Sequence, residues 1–405
     1  MNSTPSTIGN SSPDTFSRLR TRLTEELTKS IIPFWEQHSI DKDYGGFFSC
    51  LNRDGSIYDT YKQMWMQWRE IYMFAALFNS EFRDNRFLKY AQDGADFLFR
   101  YGKKADGSYH YLLSRDGKAI SDSEGGSEIF SESFAALACA ELYAATHNKT
   151  YLEESLNALR IYQANTARAE AFNPSYPGNT CTARLAFPMI ELNVLITLQK
   201  ASPESVSDQK IQAVIDKIQS FRHPEKHILL EQKNCDGSFA TDTQGGRLVN
   251  PGHGLEGIAF ILEYEHSHPN QQLTEWCQET ARAIFQIGWD STNGGIRYFV
   301  DLEGLPLLPR ESMLKAWWPQ CEGALAMLRC FESSRNDEFL HIFNMINDYF
   351  VKELRDDEFL EYFPYAKTDG IREHQYKGGR FKGFFHIPRY LLKAIEICRR
   401  LENGQ

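Results

Sequence analysis

The sequence predicts an all-α fold, an (α/α)6 barrel in which six helix pairs form a toroid with short β-hairpins on one face. A recurring phrase carries half of that prediction. Asp41-Lys-Asp-Tyr-Gly45-Gly46-Phe47-Phe48, running to Asp54-Gly55, returns as Asp290-Ser-Thr-Asn-Gly294-Gly295-Ile296, running to Glu303-Gly304, with the spacing unchanged. Each copy leads into a tryptophan-bearing apolar stretch, Met64 to Arg69 in one and Ala316 to Glu322 in the other. Weaker copies follow Asp106-Gly107, Asp116-Gly117, Asp236-Gly237 and Asp369-Gly370, and a sixth without a hairpin leads into Arg184. Arg69, Glu132, Arg184, His253, Glu322 and His386 mark the six units, spaced by roughly 50 to 70 residues, and a unit of that length closes into an array because it cannot bury its apolar face alone.

Hydrophobic periodicity supplies the other half. Apolar residues recur at i, i+3 and i+4 over 16–35, 64–79, 87–100, 131–146, 151–166, 186–200, 209–221, 254–266, 272–288, 316–331, 338–354 and 388–401. These make six pairs, with successive helices expected to alternate between an inner and an outer ring. Strands are confined to the hairpins, which excludes a parallel-sheet enzyme. Residues 1–15, rich in Ser, Thr, Asn and Pro and without an apolar core, read as a disordered arm rather than a signal peptide. No linker interrupts 16–405, which reads as one catalytic domain.

Composition narrows the function. The net charge is −10 with no basic run, which argues against nucleic acid or an anionic membrane as a partner. No apolar run reaches the ~20 residues of a membrane span. The eight cysteines stand singly, a pattern that suits buried thiols in a reducing cytoplasm and speaks against a zinc site or a disulfide frame. Phosphate loop, nucleophile elbow, His-Glu-x-x-His and dinucleotide fingerprint are all missing, which leaves an acid–base site without metal or cofactor.

Two histidines open helices. His253, in Asn250-Pro-Gly-His-Gly-Leu-Glu256, sits where the positive end of the helix dipole favours neutral imidazole, with Glu256 three residues on to orient it. His386 precedes Ile387-Pro388 in the same way, at what the repeat reading takes as the matching place. Arg69 and Glu322 occupy equivalent positions next to Trp65, Trp68, Trp317 and Trp318, a combination of indole and charge that suits a sugar and also allows an Arg69–Glu322 ion pair. Glu132 and Arg184 are further candidate substrate contacts.

At these residues the chain resembles the N-acylglucosamine 2-epimerase family, also called renin-binding proteins, from about residue 32 to the C-terminus. The resemblance runs through Pro33-Phe-Trp-Glu-Gln-His-Ser39, Gly45-Gly-Phe-Phe48, Trp65-Met-Gln-Trp-Arg69, Ile129-Phe-Ser-Glu132, Asn250 to Glu256, Trp317-Trp318 with Glu322, and Lys377-Gly-Gly379 through His386-Ile-Pro-Arg389. Cellobiose 2-epimerases are less similar, carrying His-Ser-Arg where this chain has Gln67-Trp68-Arg69. The resemblance implies a cofactor-free (α/α)6 enzyme, commonly a homodimer, that interconverts N-acetylglucosamine and N-acetylmannosamine. Its essential positions carry over to Arg69, His253, Glu322 and His386. Family members often respond to ATP through a Lys-rich loop, but the matching 165–174 stretch keeps Arg168 and no lysine, so nucleotide activation is not expected.

The expected chemistry is removal of the C2 proton of an open-chain aldose by one imidazole and its return to the opposite face by another acid. Arg69 is expected to stabilise the enolate oxygen, with Glu256 and Glu322 assisting ring opening and holding hydroxyls. A free-sugar epimerase or aldose–ketose isomerase fits the same residues, and so does an (α/α)6 glycoside hydrolase using Glu256 and Glu322. A non-catalytic binding scaffold is the remaining class. The aromatics Tyr349-Phe350, Phe359-Leu360 and Tyr362-Phe363 read as an exposed cluster and a candidate dimer face.

Overall fold

The computed structural model describes residues 12–123, 128–171, 182–307, 309–367 and 370–404. Residues 1–11 of the expected arm, Cys181, Asp369 and the end of the 165–174 stretch lie outside these. The first helix, α1, already begins at Pro13, so residues 13–15 are helical rather than part of an arm. Proline suits that place because the first-turn N–H it lacks would have no intrahelical partner anyway.

From Pro13–Glu26 the rod passes through a π turn into α2 (Ile32–His38). There follow α3 (Met64–Asn79), α4 (Asn85–Tyr101), α5 (Ile129–Thr146), α6 (Lys149–Ala171), α7 (Ala186–Ala201) and α8 (Asp208–Gln219). The last five are α9 (Pro251–Glu265), α10 (Gln271–Gly288), α11 (Trp317–Ser334), α12 (Asp337–Tyr349) and α13 (His386–Glu402). Counting α1–α2 as one rod, the described residues form six pairs. The odd-numbered helices from α3 to α13 pack each on the next, and α13 returns to α3, which closes the ring. The remaining rods pack outside them.

Burial separates the rings. Every residue of α3 from Met64 to Phe78 is buried, whereas α4 buries only a stripe of Phe87, Ala91, Gly94, Ala95, Phe97 and Leu98. An element apolar all round belongs inside, and one with a single apolar stripe belongs at the surface. Short antiparallel pairs connect successive units at the end where the inner helices begin, for example Thr182–Arg184 with Gln232–Asn234 and Leu314–Ala316 with Tyr365–Lys367. No helix among the described residues is long and apolar enough to cross a membrane.

The recurring phrase is a locked turn. Asp41 N–H donates to the Gly46 carbonyl, and Asp290 N–H to that of Gly295. Lys62 and Lys315, both buried, reach the two aspartates at 3.0 and 2.8 Å. Gln67 and Gln320, each the fourth residue of its inner helix, clasp the N–H and carbonyl of Phe47 and Ile296, all at 2.8 Å. Glu132 is also a fourth residue, and it accepts the N–H of Tyr109 at 3.1 Å. The six marker residues are therefore not all equivalent. Arg69 and Glu322 are both sixth in their helices, but His253 is third and His386 first.

Two further expectations change. Tyr349, Phe350, Tyr362 and Phe363 are buried, because Phe350 stacks on Tyr362 at 4.2 Å and Lys377 and Arg372 cover Phe363. Only Phe359 and Leu360 remain exposed, so this stretch offers no broad apolar face. Cys50, Cys139, Cys277, Cys321, Cys330 and Cys398 are buried free thiols as expected, but Cys235 is disulfide-bonded. Spacing along the chain carries no record of the strand pairing at Gln232–Asn234 that positions it.

Gly295 shows how tightly the turn is built. Its φ is +84°, and a Cβ there would lie 2.5 Å from the Tyr349 ring, whereas Gly237 (φ +90°) faces open space. Alanine at Gly237 adds backbone strain alone, of order 1 kcal/mol. Alanine at Gly295 adds a steric clash, so urea unfolding is expected to show Gly295→Ala losing clearly more stability than Gly237→Ala.

Candidate active site

The inner helices open into a cavity of about 360 Å3. Of the residues singled out in the sequence, Trp65, Arg69, Arg184, His253, Glu256, Trp317, Trp318 and His386 line it. Glu322 lies directly beneath, bonded to His386, and Glu132 faces away into the hairpin at Tyr109.

His253 is placed by its helix cap. Asn250 Oδ1 accepts the His253 N–H at 3.2 Å, and Pro251 occupies the first helical position. The imidazole Nδ1 stands 3.0 Å from both carboxylate oxygens of Glu231, at the edge of the 232–234 strand. Burial works to lower the His253 pKa, but the charge and hydrogen bond of Glu231, helped by Glu256, raise it above its usual 6.5. The helix dipole suggested the opposite bias. Glu231 overrides it, and Glu231 rather than Glu256 orients the ring.

His386 differs in every respect that sets protonation. It is buried, and Nδ1 lies 2.7 Å from Glu322 Oε1. Burial lowers its pKa to about 4, and Arg69 and Arg389 add to the effect against the opposing pull of Glu322. Burial also works to raise the Glu322 pKa, but the Arg389 guanidinium and the His386 bond hold it below the usual carboxylate value. Ionised Glu322 can only accept, so His386 Nδ1 carries the proton and Nε2 presents a free lone pair. The two rings pack against one indole, with Trp318 5.1 Å from His253 and 5.7 Å from His386.

Arg389 ties together the two carboxylates, Glu256 and Glu322. It is three residues along α13 from His386 and so on the same face, where its Nη2 donates to Glu322 and, at 3.2 Å, to Glu256. Between these carboxylates, burial and the Glu322 charge raise Glu256 to about 7 despite Arg389. Oxygens of Glu256 and Glu322 and a nitrogen of His386 lie within 4.8 Å of one another, a metal-like grouping whose positive charge Arg389 already supplies.

Arg69 does not pair with Glu322. Its guanidinium is stacked among Phe134 (4.2 Å), Trp65 (4.6 Å) and Phe385 (4.9 Å), and its buried Nε has no hydrogen-bond partner. Burial lowers its pKa to about 10, so the guanidinium stays charged at neutral pH, and the residue lines the cavity. Sequence reasoning missed Glu231 and Arg389. Arg389 was legible as the i+3 neighbour of His386, whereas Glu231 is 22 residues from His253 on a separate strand.

Comparison with known proteins shows the family and the fold. The family model for N-acylglucosamine 2-epimerase (GlcNAc 2-epimerase) matches residues 46–389. The N-acylglucosamine 2-epimerase of Mus musculus is 32% identical over 393 residues, covering 94% of this chain and 92% of its own. That of Homo sapiens is 30% identical over 401 residues, covering 96% and 92%. In fold, the cellobiose 2-epimerase of Spirochaeta thermophila superposes with a TM-score of 0.81 at 18% identity, covering 98% of this chain and 99% of its own. The chain belongs to the N-acylglucosamine 2-epimerase family of isomerase-class enzymes.

Proposed function

We infer that the protein is an N-acyl-D-glucosamine 2-epimerase that interconverts N-acetylglucosamine and N-acetylmannosamine by two-histidine proton transfer at C2. The observation that carries the mechanism is the pair of imidazoles against Trp318, one held neutral and one biased toward its cation. In the open-chain sugar the C1 carbonyl acidifies the C2 proton, so no metal or nicotinamide enters the scheme. Neutral His386 accepts that proton at Nε2, protonated His253 delivers one to the opposite face, and the roles exchange in the reverse direction. Arg69, a charged guanidinium in the cavity lining, stabilises the enolate oxygen. Glu256, whose pKa burial and the neighbouring Glu322 charge raise, serves ring opening. Glu322 acts through His386 as a positioning residue rather than on the sugar.

One contiguous hydrophobic core from Phe16 to Leu401 supports a single catalytic domain. The six buried free thiols support a reducing, cytoplasmic setting, and the Cys235 disulfide counts the other way. With Tyr349, Phe350, Tyr362 and Phe363 buried, a homodimer rests on the family resemblance alone.

Two measurements test the mechanism. In D2O the wild type is expected to place deuterium at C2 of both N-acetylhexosamines. His253→Ala and His386→Ala should each lose on the order of 10²–10⁴ in epimerisation, and a variant that still exchanges one epimer has lost the base for the other face. Wild-type turnover in either variant would overturn the two-base assignment.

The pH profile of kcat/KM isolates Glu231. Its carboxylate raises the His253 pKa by stabilising the imidazolium, so Glu231→Gln should let that pKa fall toward the lower value that burial favours. The alkaline limb, where His253 loses its proton, is then expected to move to lower pH while the acidic limb set by His386 stays. An unmoved alkaline limb would show that His253 is not the acid.

A further inference from the structure

The inner ring divides into two chemically different halves. α9, α11 and α13 supply His253, Glu256, Trp317, Trp318 and His386. α5 and α7 supply Phe130, Phe134, Phe187, Met189 and Ile190, whose side chains carry no nitrogen or oxygen. Phe130 and Phe187 lie 6.1 Å apart, so the apolar wall is continuous between the two helices.

A sugar ring has no use for a second wall of this kind. Its C–H face is served by the indoles beside the histidines. A hydroxyl pressed against Met189 or Ile190 would give up hydrogen bonds to water and receive none. A short alkyl chain fits that wall, and in a 2-acylamino sugar such a chain hangs from the atom bonded to C2. Its amide carbonyl, one bond nearer the ring, requires a donor at the seam between the halves. Arg69 lines the cavity there, its charged guanidinium over Phe134 at 4.2 Å. At the other end of the wall, the Arg184 guanidinium lies 5.8 Å from the Phe187 ring.

We propose that the α5–α7 wall holds the substrate's N-acyl chain, and that Phe130, Phe187 and Ile190 set the chain length the enzyme accepts. This rests on the 2-epimerase reading and deepens it, because it makes acyl length the selected property of the substrate.

The test is a chain-length series. kcat/KM is measured for N-acetyl-, N-propanoyl-, N-butanoyl- and N-pentanoyl-D-glucosamine and for free mannose, by deuterium incorporation at C2. The proteins are the wild type, Phe130→Ala and Ile190→Phe, with Phe187→Leu as a milder change should circular dichroism show the truncation unfolded. A methylene in an apolar pocket is worth about ten-fold or more in discrimination. Phe130→Ala and Phe187→Leu are therefore expected to raise the butanoyl-to-acetyl ratio by about that factor, and Ile190→Phe to lower it, whatever happens to absolute rates. A general structural loss would move all substrates together. Ratios within two-fold of wild type in every folded variant, with N-acetylglucosamine still turned over, would overturn the wall assignment and leave the epimerase reading standing. A wild type that exchanges the C2 proton of mannose but of no acylated sugar would overturn both.

Discussion

The buried ion pairs of Arg389 hold the site together. Glu322 and Glu256 are both inside the barrel, and two carboxylates so close in a medium of low polarity cannot both remain ionised without a counter-charge. Arg389 provides it to both, but not equally: Glu322 is held below the usual carboxylate value and Glu256 is pushed up to about 7. That inequality is useful. An ionised Glu322 fixes the His386 tautomer, and the raised pKa of Glu256 makes that carboxyl the easier of the two to protonate. Removing the guanidinium would disturb the base, its orienting partner and the neighbouring carboxyl together, which makes Arg389 a structural precondition for chemistry that it does not itself perform.

The same reasoning explains why the two histidines are not interchangeable. Epimerisation needs a base on one face and an acid on the other at the same moment, so two imidazoles with identical environments would often be in the wrong joint state. Here burial sets one and a carboxylate sets the other. His386 is enclosed and flanked by two guanidiniums, and its pKa falls to about 4. His253 is partly open and faces Glu231, and its pKa rises. The resting protein is thereby biased toward the state with one proton on the pair, on His253, which is the state the proposed mechanism starts from.

Much of this architecture was legible in the sequence because it rests on local rules. The helices repeat their apolar positions, and the Gly45-Gly46 and Gly294-Gly295 turns demand positive φ. A third copy of that turn went unread. Asp356 and Lys377 repeat the Asp41–Lys62 lock, but Leu360 and Glu361 stand where the other copies have glycine and still adopt φ of 63° and 60°. Composition cannot announce a strained turn made of ordinary residues. The site was legible wherever a polar side chain interrupts an apolar helix start, as at Arg69, His253 and His386. Glu231 was illegible because its meaning comes only from the strand edge that brings it to His253. The apparent equivalence of the six markers failed for a related reason: the fold repeats a backbone, and positions that differ by one to five residues along each inner helix can still face one axis.

That common axis has an electrostatic consequence. All six inner helices begin at the cavity, and Trp65, Phe130, Phe187, His253, Trp318 and His386 all fall within the first three residues of their helices. Each N-terminus presents a partial positive charge of roughly half a unit that fades within a turn. Converging on one small volume, these ends favour a negative charge developing on the substrate and disfavour a resting imidazolium. The enolate gains from this field without any side chain having to move, whereas His253 can keep its proton only because Glu231 opposes it locally. In the proposed mechanism, a closed ring of helices therefore favours the anionic intermediate by its topology, and a single strand-edge carboxylate, Glu231, keeps on His253 the proton that the same topology would otherwise remove.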